Sequence, residues 1–128
     1  MEAKKLLLEK VIFEPKIETI HVAGALGRVT AEALFAQCSM PSYPASAMDG
    51  IALKARDTYG ANDQNPLLLT EGENYLVVDT GDPIPEDFDA VIKIEDVQPV
   101  GENQMEVMAP AAPWQHVRPV GEDVVAGE

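Results

Sequence analysis

The sequence is poor in the residues on which many active sites are built. It has one cysteine, Cys38, so no internal disulfide is possible. The N-terminal stretch "MEAKKLLLEK" returns to charge too soon to form the apolar core of a signal peptide, and a cytoplasmic protein is expected. The two histidines, His21 and His116, stand far apart, and no Cys/His cluster has zinc spacing. There is no Walker-type glycine loop and no GxGxxG. Ser42 and Ser46 have no nearby base in sequence, which argues against a nucleophilic serine. No apolar run approaches the roughly 18 residues that suggest a membrane span. Aromatic residues make up only 5% of the chain, so any core is mostly aliphatic.

Cations are scarce in one part of the chain. Residues 1–56 hold seven Lys/Arg and six Asp/Glu, whereas residues 57–128 hold two and sixteen. The acidic part would repel nucleic acid and anionic membranes, so neither is an expected partner. Its carboxylates read as a solvated surface, or in part as ligands for a divalent cation. With 128 residues and 46% hydrophobic content, the chain suffices for one domain or two very small ones.

"EAKKLLLEKVIF" sets Leu7, Leu8, Val11 and Ile12 at helical spacing, and Pro15 closes it. "IETIHV" alternates like a short strand, with His21 in a structural setting. "AGALGRVTAEALFA" reads as a second helix despite its two glycines. Cys38, at the end of that predicted helix, is expected to be packed or half-buried. After Pro41 the helical period disappears. "GIALKA", "NPLLLT", "NYLVVDT", "DAVIKIEDVQPV" and "NQMEVMAP" are short aliphatic runs separated by Gly, Pro, Asn and Asp at hairpin spacing. "APAAPW" reads as a linker, and "HVRPVGEDVVAGE" opens another strand-like region that stops without a closing element, as in a fragment of a longer chain. An α+β protein is expected, with N-terminal helices followed by a β-rich segment.

Two stretches carry candidate chemistry. In "SAMDG", Asp49 is either a turn residue, its carboxylate accepting backbone hydrogen bonds, or a group held out for chemistry. "DTGDPIPEDFDAVIKIED", residues 79–96, combines Thr80 with seven carboxylates in a turn stiffened by Pro83 and Pro85. Carboxylates and a hydroxyl suit a hard cation such as Mg²⁺, although acidic loops are commonly only solvated turns.

These stretches also carry a resemblance. "MPSYPASAMDGIA", residues 40–52, is similar to "LPxFDNSAMDGYA" of the molybdopterin molybdenumtransferase family, which includes the related domain of gephyrin. "TGDPIPEDFDAVIKIE", residues 80–95, resembles that family's "TGAPLPEGADAVVxxE". "ALGRVTAEAL", residues 25–34, resembles "ALGRVLAEDV", and "VRPVGEDVVAGE", residues 117–128, resembles "VRxxGEDVxxGE". The resemblance implies an enzyme that inserts molybdate into adenylylated molybdopterin with the help of Mg²⁺. It implies that Asp49 and Thr80 belong to the catalytic cleft. Ser46, Met48, Gly81 and Arg118 lie in the matching motifs and are implied to shape the cleft or bind substrate. Asp49 would hold a cation such as Mg²⁺, or a bound water, between itself and the anionic substrates. Thr80 would donate to an oxyanion or orient a water.

The family's architecture implies that residues 1–44 and 114–128 form part of an elongated domain, through which homodimers form. Residues 45–113 would be an inserted β-rich lid hinged at its proline-rich ends. The fragment alone would lack the pterin-binding domain and be inactive. Two departures stand out. Pro44-Ala45 replaces the family's Asp-Asn, and Asp82 replaces an alanine, adding a charge that weakens anion binding or serves as a metal ligand. The rival reading is a non-catalytic interaction or dimerisation module derived from the same family.

Overall fold

The computed structural model describes residues 2–10 and 15–128. They divide into two compact units, residues 1–34 and 35–128.

The first unit contains the single α-helix among the described residues, α1 (Glu2–Lys10). The remainder of the predicted first helix, Val11 to Phe13, lies outside the described residues. The expected strand over 17–22 is not a strand. Among the described residues no strand pairs with it; the backbone is extended at His21, and a 3-10 turn follows at Val22–Gly24. His21 does have the expected structural role. Its Nδ1 accepts the Ala23 N–H at 3.2 Å and caps that turn. The expected second helix, residues 23–36, is also absent. Gly27 takes φ +79°, a left-handed conformation that interrupts any helix, and a turn closed by Arg28 N–H to Ala25 O stands in its place. Arg28 forms an ion pair with Glu18. Apolar side chains here stay outside: Leu26, Val29 and Leu34 are all at least 80% exposed.

The second unit is β-structure, and the fold as a whole is mainly β with few helices. Its centre is a three-stranded antiparallel sheet of β2 (Gly50–Leu53) between β4 (Tyr75–Val78) and β5 (Ala90–Lys93). Because side chains alternate across a strand, β2 and β5 feed two cores. Ile51 and Leu53, with Ala90 and Ile92, face one cluster that also takes Tyr75, Leu69 and Val107. Ala52 and Val91 face the other, with Val78, Ile84 and Val117. A second antiparallel sheet has the order β3 (Leu67–Thr70), β7 (Gln104–Val107), β6 (Val97–Pro99). The short β1 (Ala45–Ser46) pairs with β8 (Val117–Arg118).

The strands expected after Pro41 are present, with one refinement. "DAVIKIEDVQPV" is not continuous. It breaks at a 3-10 turn, Ile94–Asp96, that separates β5 from β6. The Ile94 N–H still donates to the Asp49 carbonyl at 3.0 Å, one rung beyond the Gly50–Lys93 pair, and the chain then leaves the sheet through that turn. Cys38 is exposed rather than packed, since no helix runs up to it. The "APAAPW" segment is fastened. Ala111 is buried, and its N–H donates to Oγ1 of the buried Thr58 at 2.8 Å while that hydroxyl donates to Ala55 O.

Candidate functional site

Asp49 stands immediately before β2, and two features put it there. Gly50 pairs with Val78 on one side and Lys93 on the other. A Cβ at Gly50 would press into the Ile92 carbonyl, 2.9 Å from its carbon, so only glycine lets β5 approach so closely. The bend ahead of it is clamped by Ser46. Its buried hydroxyl donates to Met48 O at 2.6 Å, and its backbone carbonyl accepts the Gly81 N–H at 2.9 Å. The Ser46 N–H donates to Asp82 O at 2.8 Å. One residue thus joins the "SAMD" bend to the "TGD" turn.

That turn is built locally. The Asp82 N–H donates to Asp79 O, Asp82 Oδ2 accepts the Asp79 N–H at 2.9 Å, and Gly81 takes φ +96°. The turn presents Thr80 to Asp49, 31 residues away in sequence. Asp49 Oδ1 accepts both the Thr80 N–H and the Thr80 hydroxyl, each at 2.7 Å. These bonds, the hydroxyl's first and the amide's second, hold the Asp49 carboxyl below its ordinary value of 3.8. Replacing Thr80 with valine removes the larger cause. Carbon-13 NMR titration of the carboxyl should then show the Asp49 pKa rising toward 3.8 while staying below it, because the amide bond remains. With a lowered folded pKa, this group stabilises the fold above pH 3.8 and ceases to do so as pH falls through the folded value.

Asp49 and Thr80 line an open cleft of about 370 Å³ with Met48, Lys93, Glu95 and Asp96. Asp49, Thr80 and Met48 thus lie together in one cleft. Four other candidates do not line the cleft. Gly81 shapes the turn and gives its N–H to Ser46 O. Ser46 is fully buried and spends its hydroxyl on Met48. Asp82 spends a carboxylate oxygen on its own turn, which explains the departure to aspartate at that position as a turn cap. Arg118 binds Glu122 and Asp123 at 2.5 Å each, bonds that raise its pKa above the ordinary value. Thr80 has no proton left for an oxyanion, since both of its donors point at Asp49. Lys93 was missed by sequence reasoning. Its signal is the β2–β5 register, which sets it opposite Gly50 and so beside Asp49. Among the described residues, no group of three or more His, Cys, Asp or Glu is close enough to hold a metal by itself. No described helix is long and apolar enough to cross a membrane.

The chain belongs to the family of the MoeA N-terminal region (domain I and II), which it matches over residues 1–128. It is 34% identical to the molybdopterin molybdenumtransferase of Synechococcus elongatus, over 98% of this chain and 35% of that protein. It is 26% identical to gephyrin of Dictyostelium discoideum, over 98% of this chain and 21% of that protein. The crystal structure of the molybdopterin biosynthesis moeA protein from Pyrococcus horikoshii OT3 superposes with a TM-score of 0.89 at 34% identity, covering 99% of this chain and 37% of that one. The chain therefore spans about a third or less of the length of these relatives.

Proposed function

We propose that this chain is the N-terminal part of a cytoplasmic molybdopterin molybdenumtransferase and supplies one wall of its catalytic cleft. The substrates are molybdate and adenylylated molybdopterin, and the adenylate leaves as molybdate is inserted. The observation that carries this reading is the Asp49 carboxylate, fixed by two hydrogen bonds from Thr80 at the lip of a cleft that also holds Lys93, Glu95 and Asp96. Both substrates are anions, so a bare carboxylate needs an intermediary. Mg²⁺ fits this donor set, because it keeps several waters and takes only one or two carboxylates together with substrate phosphates. Asp49 Oδ2, which makes no hydrogen bond within the described residues, would hold it. The ion would supply charge neutralisation between carboxylate and phosphate oxygens.

The same reading divides the chain into an elongated domain, residues 1–44 and 114–128, and an inserted β-rich unit, residues 45–113. Bonds from Trp114 N–H to Asp89 O and from Val91 N–H to Gln115 O cross the second junction, so we place no free hinge there. Homodimerisation through the elongated domain belongs to the same proposal, and the exposed Leu26, Val29 and Leu34 support it.

The test is an insertion assay. Full-length protein, given adenylylated molybdopterin, molybdate and Mg²⁺, should release AMP and form molybdenum cofactor. The 128-residue chain alone should form none, because most of the pterin contacts belong to the remaining two thirds of such a protein. Absence of product from the full-length protein overturns the reading.

A further inference from the structure

We infer that Lys93 is the residue that receives a tetrahedral oxyanion in the Asp49 cleft. The inference deepens the proposed function and rests on that cleft being its site. It begins with a count of donors. Of the six side chains that line the cleft, Met48 has none, and Asp49, Glu95 and Asp96 are acceptors when ionised. Thr80 has one hydroxyl proton and one amide proton, and Asp49 takes both. Lys93 alone remains, with three N–H donors, and it makes no ion pair among the described residues.

Charge leads to the same residue. Residues 57–128 contain only Lys93 and Arg118 as cations against sixteen carboxylates. Arg118 is committed to Glu122 and Asp123. Lys93 is therefore the one uncommitted cation of that acidic part, and it stands in the cleft. Register keeps it there, because Lys93 pairs with Gly50, next to Asp49, and Gly50 has no side chain to stand between them. Without Lys93, the three carboxylates of the cleft would repel the anionic oxygens of either substrate. Lys93 offsets that repulsion at one point and so orients the anion as well as attracting it.

Amide NMR spectra of the 128-residue chain test this. Sodium molybdate and AMP are titrated separately, with sodium chloride as the control for ionic strength. At least one oxyanion should shift the Lys93 and Thr80 amides saturably. The one acting at lower concentration identifies the source of the oxyanion, and chloride should give no saturable shift. Lys93→Gln should weaken this binding about tenfold, the size expected for one charge-assisted hydrogen bond. Lys93→Arg should keep it near the original strength, and both variants should retain the dispersed spectrum of the folded chain. Unchanged affinity in Lys93→Gln, or no saturable shift with either oxyanion, overturns the inference. The readout is binding and not turnover. A chain that binds through Lys93 while the full-length protein inserts no molybdenum would defeat the proposed function and leave this role standing.

Discussion

Replacing Asp49 with alanine should lower kcat/KM of the full-length protein roughly a hundredfold to a thousandfold, the scale seen when one preorganised group at a reacting centre is removed. The thermal midpoint should move little. Asp49 is exposed, packs against nothing in either core, and frees only Thr80 donors that water can reach. Asp49→Asn separates the two roles the residue can have. An asparagine oxygen can still accept from Thr80, so the bend and the turn stay tied. If the negative charge holds the cation, the asparagine variant is as impaired as the alanine one. If Asp49 only tethers the Thr80 turn, the asparagine variant recovers most of the activity, and Asp49 returns to being a turn residue. Parallel measurements of turnover and thermal midpoint on both variants decide it.

The second large effect concerns stability. Gly50→Ala should cost at least about 3 kcal/mol, the upper end for overpacking, and lower the midpoint by about ten degrees. The added Cβ would meet backbone, the Ile92 carbonyl and Lys93 Cα, and not the movable end of a side chain. Relief requires β5 to move away from β2, and those strands carry Ile51, Leu53, Val91 and Ile92, which feed both cores. Gly24→Ala is the matched control. Nothing lies within 4 Å of a Cβ there, and φ is not left-handed, so the midpoint should be nearly unchanged. A small effect at Gly50 in thermal denaturation would mean that the strand contact is looser than described.

The same glycine shows what could be read from the sequence and what could not. "SAMDGIAL" announces a turn and then a strand, and β2 begins at Gly50 as its composition suggests. β3, β4 and β7 were equally legible, because aliphatic runs bounded by Gly, Pro, Asn and Asp carry their limits with them. The segment 17–36 departs from its sequence pattern for the opposite reason. Its alternation and its Ala/Leu content are real, but they specify an element only when a partner strand or a buried face exists, and that unit buries little. The Asp49–Thr80 pair was reachable only through resemblance. A contact across 31 residues leaves no trace in spacing. Motif resemblance places Arg118 near the site and a departure from the motif places Asp82 there, yet each is satisfied by its own loop neighbours. Lys93 has no motif of its own, and only the β2–β5 register brings it to the cleft.

The second unit closes on itself. Ala36 N–H donates to Glu128 O at 3.0 Å and Gly127 N–H to Ala36 O at 2.8 Å, so the two ends of the unit are paired; Met40 with Val124, Ala45 with Arg118 and Ser46 with Val117 continue the series inward. Under mechanical load this arrangement is a zipper. A pull that separates residues 35 and 128 opens these rungs one after another from the outside, and each carries the force alone before the next. The two three-stranded sheets lie beyond the last rung and feel no tension until it parts. The Asp49 cleft begins just inside that rung, so the clasp is the fuse that yields before the site does.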